Sequence, residues 1–309
     1  MVRVVLLALS CSLFACEPKL VVGERAAATL GSGGASGSGG NVAGFAGTSG
    51  YSGSAGLGGN SGEGGVGGEG GEGGEAGAQC SDTGVAVPVE TDPVAVPWST
   101  SFKNNFCDYS DAGGFCFGGG VHKIVTSPVH SGNYAAEFTV STTDTSRNQA
   151  RCVRQGVLPT EAYYGAWYYV PTLPTFNSSA SLWNLFHFQG GDTSTDGLWD
   201  VTLLNSADGS LQLLVYDFVN GVARKATNPP PVPIGEWFHI QFYLKRAADA
   251  TGAIRLYQNG KLLIEKTDIV TDDSTWAQWY VGNIAKELKP PDSTVYVDDV
   301  TIGTSGIQF

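Results

Sequence analysis

The composition of the chain changes abruptly at Cys80. Residues 30–78 consist almost entirely of Gly, Ser, Ala, Asn and Glu, whereas residues 80–309 are dense in Val, Ile, Tyr, Trp and Phe. A glycine-rich segment of this kind cannot bury enough apolar surface to offset the entropy lost on ordering it. We therefore expect residues 16–79 to form a disordered Gly/Ser/Glu-rich tether and residues 80–309 to form the folded domain.

The region after Cys80 consists of short apolar segments separated by turn residues. About a dozen of these segments are predicted strands, because aromatic and β-branched residues dominate them, and none has the periodicity of an amphipathic helix. The clearest examples are Tyr163–Val170, Leu182–Gln189, Leu198–Leu204, Leu211–Phe218 and Trp237–Leu244. The pattern predicts an all-β fold, an antiparallel β-sandwich of the jelly-roll type.

The N-terminus has the layout of a secretory signal over residues 1–15. A positive charge at Arg3 precedes the apolar run Val4–Leu9, which is too short to cross a bilayer. The sequence Leu13-Phe14-Ala15-Cys16 resembles the lipobox of bacterial lipoproteins, which implies cleavage before Cys16 and lipidation of its thiol. We expect an exported protein that meets a membrane only through this lipid anchor, at the outer membrane or cell surface. Ordinary secretion is the alternative.

Four cysteines remain after the signal and Cys16, and an even number suits an oxidising compartment. Cys107 and Cys116 bracket a loop rich in Gly and Asp, which favours a bridge between them and leaves Cys80 to pair with Cys152. No Cys-x-x-Cys or Cys/His cluster indicates zinc. The sequence therefore predicts disulfides and no metal held by cysteine.

The charge of the chain excludes one class of partner. The formal net charge is -12, and residues 80–309 hold 14 Lys and Arg against 23 Asp and Glu, a net charge of -9. A nucleic-acid-binding protein usually carries a basic surface, so we expect no nucleic acid partner. We expect the protein to be a monomer.

Four strand phrases resemble those of the concanavalin A-like lectin/glucanase superfamily, over about Trp98 to Ile302. The phrases are Ser131-Gly132-Asn133-Tyr134-Ala135, Gly235-Glu236-Trp237-Phe238-His239-Ile240, Tyr257-Gln258-Asn259-Gly260-Lys261 and Tyr296-Val297-Asp298-Asp299-Val300. They are most similar to the polysaccharide lyase branch, which includes alginate lyases, glucuronan lyases and heparin lyase I. The resemblance implies a jelly-roll domain with a polysaccharide partner, and in particular a polysaccharide that contains uronate.

Two motifs of that branch have counterparts in this sequence. Arg147-Asn148-Gln149-Ala150-Arg151 is similar to Arg-(Ser/Thr)-Glu-Leu-Arg, with an amide in place of the acid. His187-Phe188-Gln189 holds the side chains of Gln-(Ile/Val)-His in reversed order. Residues two apart on a strand share a face, so each motif presents its polar groups together.

A third lyase motif places a catalytic tyrosine in a late strand, and here Ile284 occupies that position. Lyase activity therefore requires another tyrosine, for which Tyr280, Tyr168 and Tyr216 are candidates. The resemblance implies His187 as general base, a tyrosine as general acid, and Arg151 at the catalytic centre. The implied substrate-binding residues are Arg147, Gln149, Gln189, Tyr168, Tyr216 and Trp199.

Several other interpretations stay open at this stage. His187 can be a hydrogen-bonded core histidine, the arginines can form a solvated face, and His239 is expected to serve packing. A non-catalytic carbohydrate-binding or adhesive module is the alternative function, since exposed aromatic rings stack on sugars. Glycoside hydrolysis is weakly supported, because no Glu-x-Asp-x-x-Glu spacing occurs.

No cofactor is required by these motifs. Asp298 and Asp299 could ligate a structural Ca²⁺, as carboxylates do. A hydrogen-bonding role for a buried aspartate is the simpler interpretation.

Overall fold

The computed structural model describes residues 93–142, 147–178, 181–190, 197–272, 274 and 276–307. The expected signal and tether, the lipidation site Cys16, and Cys80 lie outside the described residues. Within the described part of the chain, no helix is long and apolar enough to cross a membrane.

The described residues form seventeen strands and one short helix, α1 at Cys107–Ser110. The strands are β1 Trp98–Thr100, β2 Phe115–Gly118, β3 Val121–Val125, β4 Ala135–Ser141, β5 Asn148–Gly156, β6 Glu161–Tyr169, β7 Thr175–Phe176, β8 Leu182–Gly190, β9 Gly197–Asn205, β10 Leu211–Asp217, β11 Val222–Lys225, β12 Trp237–Lys245, β13 Gly252–Gln258, β14 Lys261–Ile269, β15 Ala277–Lys286, β16 Leu288–Lys289 and β17 Asp292–Gly303.

Most strands belong to two large antiparallel sheets. The seven-stranded sheet has the order β11-β10-β9-β8-β15-β5-β2. The eight-stranded sheet has the order β14-β13-β12-β6-β17-β4-β3, with β1 paired to β17, and β16 pairs separately with β7. The predicted all-β antiparallel sandwich is confirmed.

The core lies between the two sheets and is built largely from aromatic rings. Phe188 and Trp279 of the seven-stranded sheet are fully buried. The Phe188 ring centroid lies 5.1 Å from that of Phe242, and the Trp279 ring centroid lies 5.0 Å from that of Tyr164. Phe242 and Tyr164 belong to the eight-stranded sheet. Because side chains alternate along a strand, burying these rings turns their neighbours in sequence away from the core.

Two residues predicted to bind substrate belong to this core. Tyr168 and Trp199 are both fully buried. The Tyr168 hydroxyl donates a hydrogen bond to the carbonyl of Leu185 at 2.9 Å, and Trp199 Nε1 donates to the carbonyl of Thr271 at 2.8 Å. Their assignment to the substrate site is wrong, because each lies on the inward face of its strand.

The predicted disulfide pairing is also wrong. Cys116 on β2 is bonded to Cys152 on β5, its direct partner in the register of the two strands. Cys107 is disulfide-bonded as well. The prediction relied on the short loop between Cys107 and Cys116. Strand pairing instead brings Cys116 into contact with Cys152, 36 residues away in sequence.

His239 on β12 is fully buried, as the packing interpretation predicted. Its ring centroid lies 5.2 Å from that of Trp167, and Gly165 leaves room for it, since a Cβ there would sit 3.0 Å from His239 Nε2. Burial, with a smaller electrostatic effect of His130, lowers the pKa of His239 to about 4, and the carboxylate of Asp299 opposes this in part. The folded protein therefore holds this imidazole neutral.

This burial makes stability depend on pH. The unfolded chain takes up a proton at His239 below about pH 6.5, while the folded chain does so only near pH 4. The free energy of unfolding should fall by about 3 kcal/mol as the pH drops through this window, through His239 alone. Urea unfolding at pH 7 and pH 4.5 measures it, and His239→Leu should show a smaller fall. Equal falls in both proteins would contradict this assignment.

Candidate active site

Residues from four neighbouring strands of the seven-stranded sheet form a row on the face turned away from the core. Tyr216 on β10 lies opposite Asp200 on β9, Asp200 lies opposite His187 on β8, and His187 lies opposite Tyr280 on β15. We call these four residues the site row. Arg151, on the next strand β5, lies opposite Gly282, two residues along from Tyr280.

The local sequence explains why these side chains point outward. His187 stands between Phe186 and Phe188, and Tyr280 stands between Trp279 and Val281, all four of which are fully buried. Alternation along each strand then turns the histidine and the tyrosine to the opposite face. The ring centroids of His187 and Tyr280 are 5.3 Å apart.

Asp200 fixes the orientation of His187. The Nδ1 atom of His187 lies 2.5 Å from Oδ1 of Asp200, and Asn184 Nδ2 donates to Oδ2 of the same carboxylate at 2.5 Å. The Asp200 side chain is 6% exposed and the His187 side chain 15%. A carboxylate at Nδ1 favours the tautomer with the proton on that nitrogen, which leaves Nε2 as a proton acceptor.

Arg151 packs over the ring of Tyr280. Its Cζ lies 3.9 Å from the Tyr280 ring centroid and 5.1 Å from that of Phe117. Gly282 makes this contact possible, because a Cβ there would lie 2.9 Å from Cβ of Arg151. Desolvation lowers the pKa of Arg151 to about 10, so the guanidinium remains charged at neutral pH. Its buried Nε has no hydrogen-bond partner among the described residues.

The Tyr280 hydroxyl is kept protonated. Burial raises its pKa above the ordinary tyrosine value, and the positive charge of Arg151 opposes this only in part. The hydroxyl donates to Oε1 of Gln278 and lies 3.4 Å from Oε1 of Gln189. Gln278 Nε2 in turn donates to Gln155 at 3.1 Å. Tyr280 is therefore a neutral O–H donor set among glutamine side chains.

The remaining predicted residues lie around this centre. Arg147 is exposed just before β5, and its charge contributes to lowering the pKa of Arg151. Gln149 is half-buried and opposite Ile284. Tyr216 is half-buried, with its ring centroid 4.6 Å from that of Phe218. Contacts and strand register thus bring His187, Tyr280, Arg151 and Gln189 together, with Tyr216 in the site row, whereas Tyr168 and Trp199 lie in the core.

Asp298 and Asp299 hold a turn by hydrogen bonds. Asp298 Oδ2 accepts the backbone N–H groups of His130 and Ser131 at 3.0 and 3.1 Å. Asp299 contacts His130 Nδ1 at 2.7 Å and accepts from the Ser131 hydroxyl at 3.0 Å. Within the described part of the chain, no group of three or more His, Cys, Asp or Glu residues could hold a metal ion.

A family model for polysaccharide lyase matches residues 105–301. The chain belongs to the polysaccharide lyase family. No curated protein matches it at a significant level.

Several solved structures are similar to this lyase family member. An endo-β-1,4-glucuronan lyase from the fungus Trichoderma reesei is 20% identical, with a TM-score of 0.47 over 60% of this chain and 88% of that one. An alginate lyase in complex with an alginate trisaccharide is 14% identical, with a TM-score of 0.45 over 69% and 95% of the two chains. An alginate lyase from Aplysia kurodai is 12% identical, with a TM-score of 0.45 over 67% and 98%.

In this lyase family member the site contains two residues that sequence reasoning missed. Asp200 and Asn184 belong to none of the motifs recognised in the sequence. One signal was available in the sequence of β9. Asp200 stands between the buried residues Trp199 and Val201, so alternation turns its side chain to the outer face of the sheet. Its role as partner of His187 depends on the pairing of β8 with β9, which no local pattern reports.

The hydrogen bond from His187 to Asp200 predicts one imidazole tautomer. Nitrogen NMR of the full chain should show the proton of neutral His187 on Nδ1. In Asp200→Ala no carboxylate accepts at Nδ1, so both tautomers should be populated, while the signals of His239 stay unchanged. An Nε2–H form of His187 in the unsubstituted protein would contradict the assigned geometry.

Proposed function

We propose that this polysaccharide lyase family member cleaves a uronate-containing polysaccharide by β-elimination. One observation carries the proposal: the charged guanidinium of Arg151 packs over the ring of the O–H donor Tyr280, which lies beside His187, whose Nδ1 faces a carboxylate. An anion acceptor, a proton acceptor and a proton donor are the three groups that this reaction requires.

The arginines and glutamines would recognise the carboxylate of the sugar. Removal of the proton at C5 spreads negative charge onto the carboxylate, so donors already in place stabilise the transition state more than the ground state. Arg151 supplies a charged donor next to the reacting centre. We assign Arg147, Gln149 and Gln189 to the surrounding contacts with the substrate.

His187 and Tyr280 would carry the protons. Nε2 of His187 takes the C5 proton, and the electron pair of that bond forms the C4=C5 double bond. The bond between C4 and the glycosidic oxygen then breaks, and the Tyr280 hydroxyl donates its proton to that oxygen. Asp200 stabilises the imidazolium formed in the first step, and its hydrogen bond holds the ring in place. The released fragment ends in a hydroxyl group.

Hydrolysis fits this site poorly. A glycosidase uses two carboxyl groups on either side of the scissile bond. Asp200 is the one carboxylate of the site row, and it is engaged by His187 and Asn184.

A non-catalytic glycan-binding module is the second candidate function. The family motif places a tyrosine where this chain has Ile284, which is 4% exposed. The net charge of residues 80–309 is -9, which opposes the long-range approach of an anionic polymer. An exported location, as expected from residues 1–15, would suit either function.

The lyase proposal predicts a chromophore in the product. Full-length protein incubated with alginate, glucuronan, pectate or glycosaminoglycans should raise the ultraviolet absorbance, because the new double bond is conjugated with the carboxylate. Tyr280→Phe removes the proton donor and keeps the ring under Arg151, so it should lower kcat at least about 100-fold. The melting temperature should change little.

Tyr134→Phe provides the matched control, because Tyr134 is 37% exposed and lies outside the site row. It should retain full turnover. Absence of new absorbance with every uronate polymer, together with retention of the protein in gels that contain one of them, would replace the lyase with a binding module.

A further inference from the structure

Two hollows of the eight-stranded sheet adjoin at the hairpin that joins β13 to β14, and we call them together the groove. The hollows have volumes of about 340 and 310 Å³ and share Asn259 as a lining residue. Each hollow is at the lower end of the size range of small-ligand sites, about 300 to 1,000 Å³. None of its lining residues belongs to the candidate active site, which is on the other sheet.

Aromatic rings form part of the walls of both hollows. Tyr163 and Tyr257 line the first, and Trp237 lines the second together with three prolines of the loop before β12. The indole of Trp237 is held in place by its neighbours, with its ring centroid 5.6 Å from that of Tyr169 and 5.9 Å from that of His130. A ring fixed in this way binds a flat apolar surface with little loss of side-chain entropy.

Amide groups stand next to these rings. Asn259 Oδ1 accepts the backbone N–H of His239 at 2.7 Å, which turns the Nδ2 donor of Asn259 away from that contact. Gln258 is 2% exposed, and its Oε1 is buried with no hydrogen-bond partner among the described residues. Its Nε2 donates to the carbonyl of Pro231 at 3.0 Å, which holds the side chain at the wall of the groove. The Gln258 side chain therefore supports the proline loop, and Asn259 is the amide residue that faces the groove.

The charges of the groove give it no preference for an anionic ligand. Its charged lining residues are one acid and one base, Glu236 and Lys261, so it has no excess of positive charge. The candidate active site instead has Arg151 and Arg147 close together. Flat rings beside amide donors and acceptors suit the apolar C–H face and the hydroxyl groups of a neutral sugar.

We propose that this groove binds a neutral polysaccharide chain, as a second site independent of the uronate site. Trp237 stacks on one sugar unit and Tyr257 on another, and Asn259 bonds to a hydroxyl group between them. The site holds the protein on a polymer that it does not cleave. The proposal stands whether or not the other sheet is catalytic.

Affinity electrophoresis of the full chain tests the groove, with gels that contain hydroxyethyl cellulose, galactomannan or laminarin. At least one neutral polymer should retard the unsubstituted protein. Trp237→Ala should raise the dissociation constant about tenfold or more, since it removes a stacking platform. Tyr257→Ala provides a second variant in case Trp237→Ala does not fold, and circular dichroism checks both.

Phe115→Ala is the matched control, because Phe115 is a 44% exposed aromatic residue on the seven-stranded sheet. It should be retarded like the unsubstituted protein. Three results would overturn the proposal: no retardation by any neutral polymer, retardation by uronate polymers alone, or retardation that both groove variants retain. Loss of uronate cleavage in another experiment has no bearing on these outcomes.

Discussion

The register of three neighbouring strands, β8, β15 and β5, determines where the site residues lie. Tyr280 lies opposite His187, and Arg151 lies opposite Gly282. A slip of one residue in any of these strands would turn its side chains to the other face of the sheet. The buried rings of Phe186, Phe188 and Trp279 oppose such a slip, since burying one large apolar side chain contributes about 1.5 to 3 kcal/mol. The core therefore fixes the positions of the site residues, although its own side chains take no part in the proposed reaction.

The candidate site combines stable contacts with two buried polar atoms that have no partner among the described residues, Arg151 Nε and Asn184 Oδ1. His187, Asp200 and Asn184 form a connected set of hydrogen bonds, and the contact of Arg151 with the Tyr280 ring is of a kind that contributes about 0.5 to 2 kcal/mol. The Nε donor of Arg151 is nevertheless buried without a partner among the described residues, which costs about 1 to 3 kcal/mol. An anionic ligand bound beside the same guanidinium would offset part of this cost. The same feature that lowers the stability of the free protein would thus favour binding.

Period-two alternation was sufficient to predict the strands and to place the polar residues of each motif on one face, Arg151 with Gln149 and His187 with Gln189. Where both faces of a strand carry apolar residues, alternation does not show which face packs in the core. Trp199 was assigned to the wrong face for this reason. Alternation also cannot predict contacts between strands that are distant in sequence. The bond of Cys116 to Cys152 and the contact of His187 with Asp200 both follow from strand order, which the sequence does not report locally.

The central claim is that the guanidinium of Arg151 receives the carboxylate of a uronate. Its most direct test is the NMR signal of the Arg151 Nε–H group in Tyr280→Phe, during titration with alginate and glucuronan trisaccharides. The account predicts that this signal shifts and exchanges more slowly with solvent on binding. The signal of Arg154, whose Nε is also buried without a partner among the described residues, should stay in place. Binding of either trisaccharide that leaves the Arg151 signal unmoved would contradict the account.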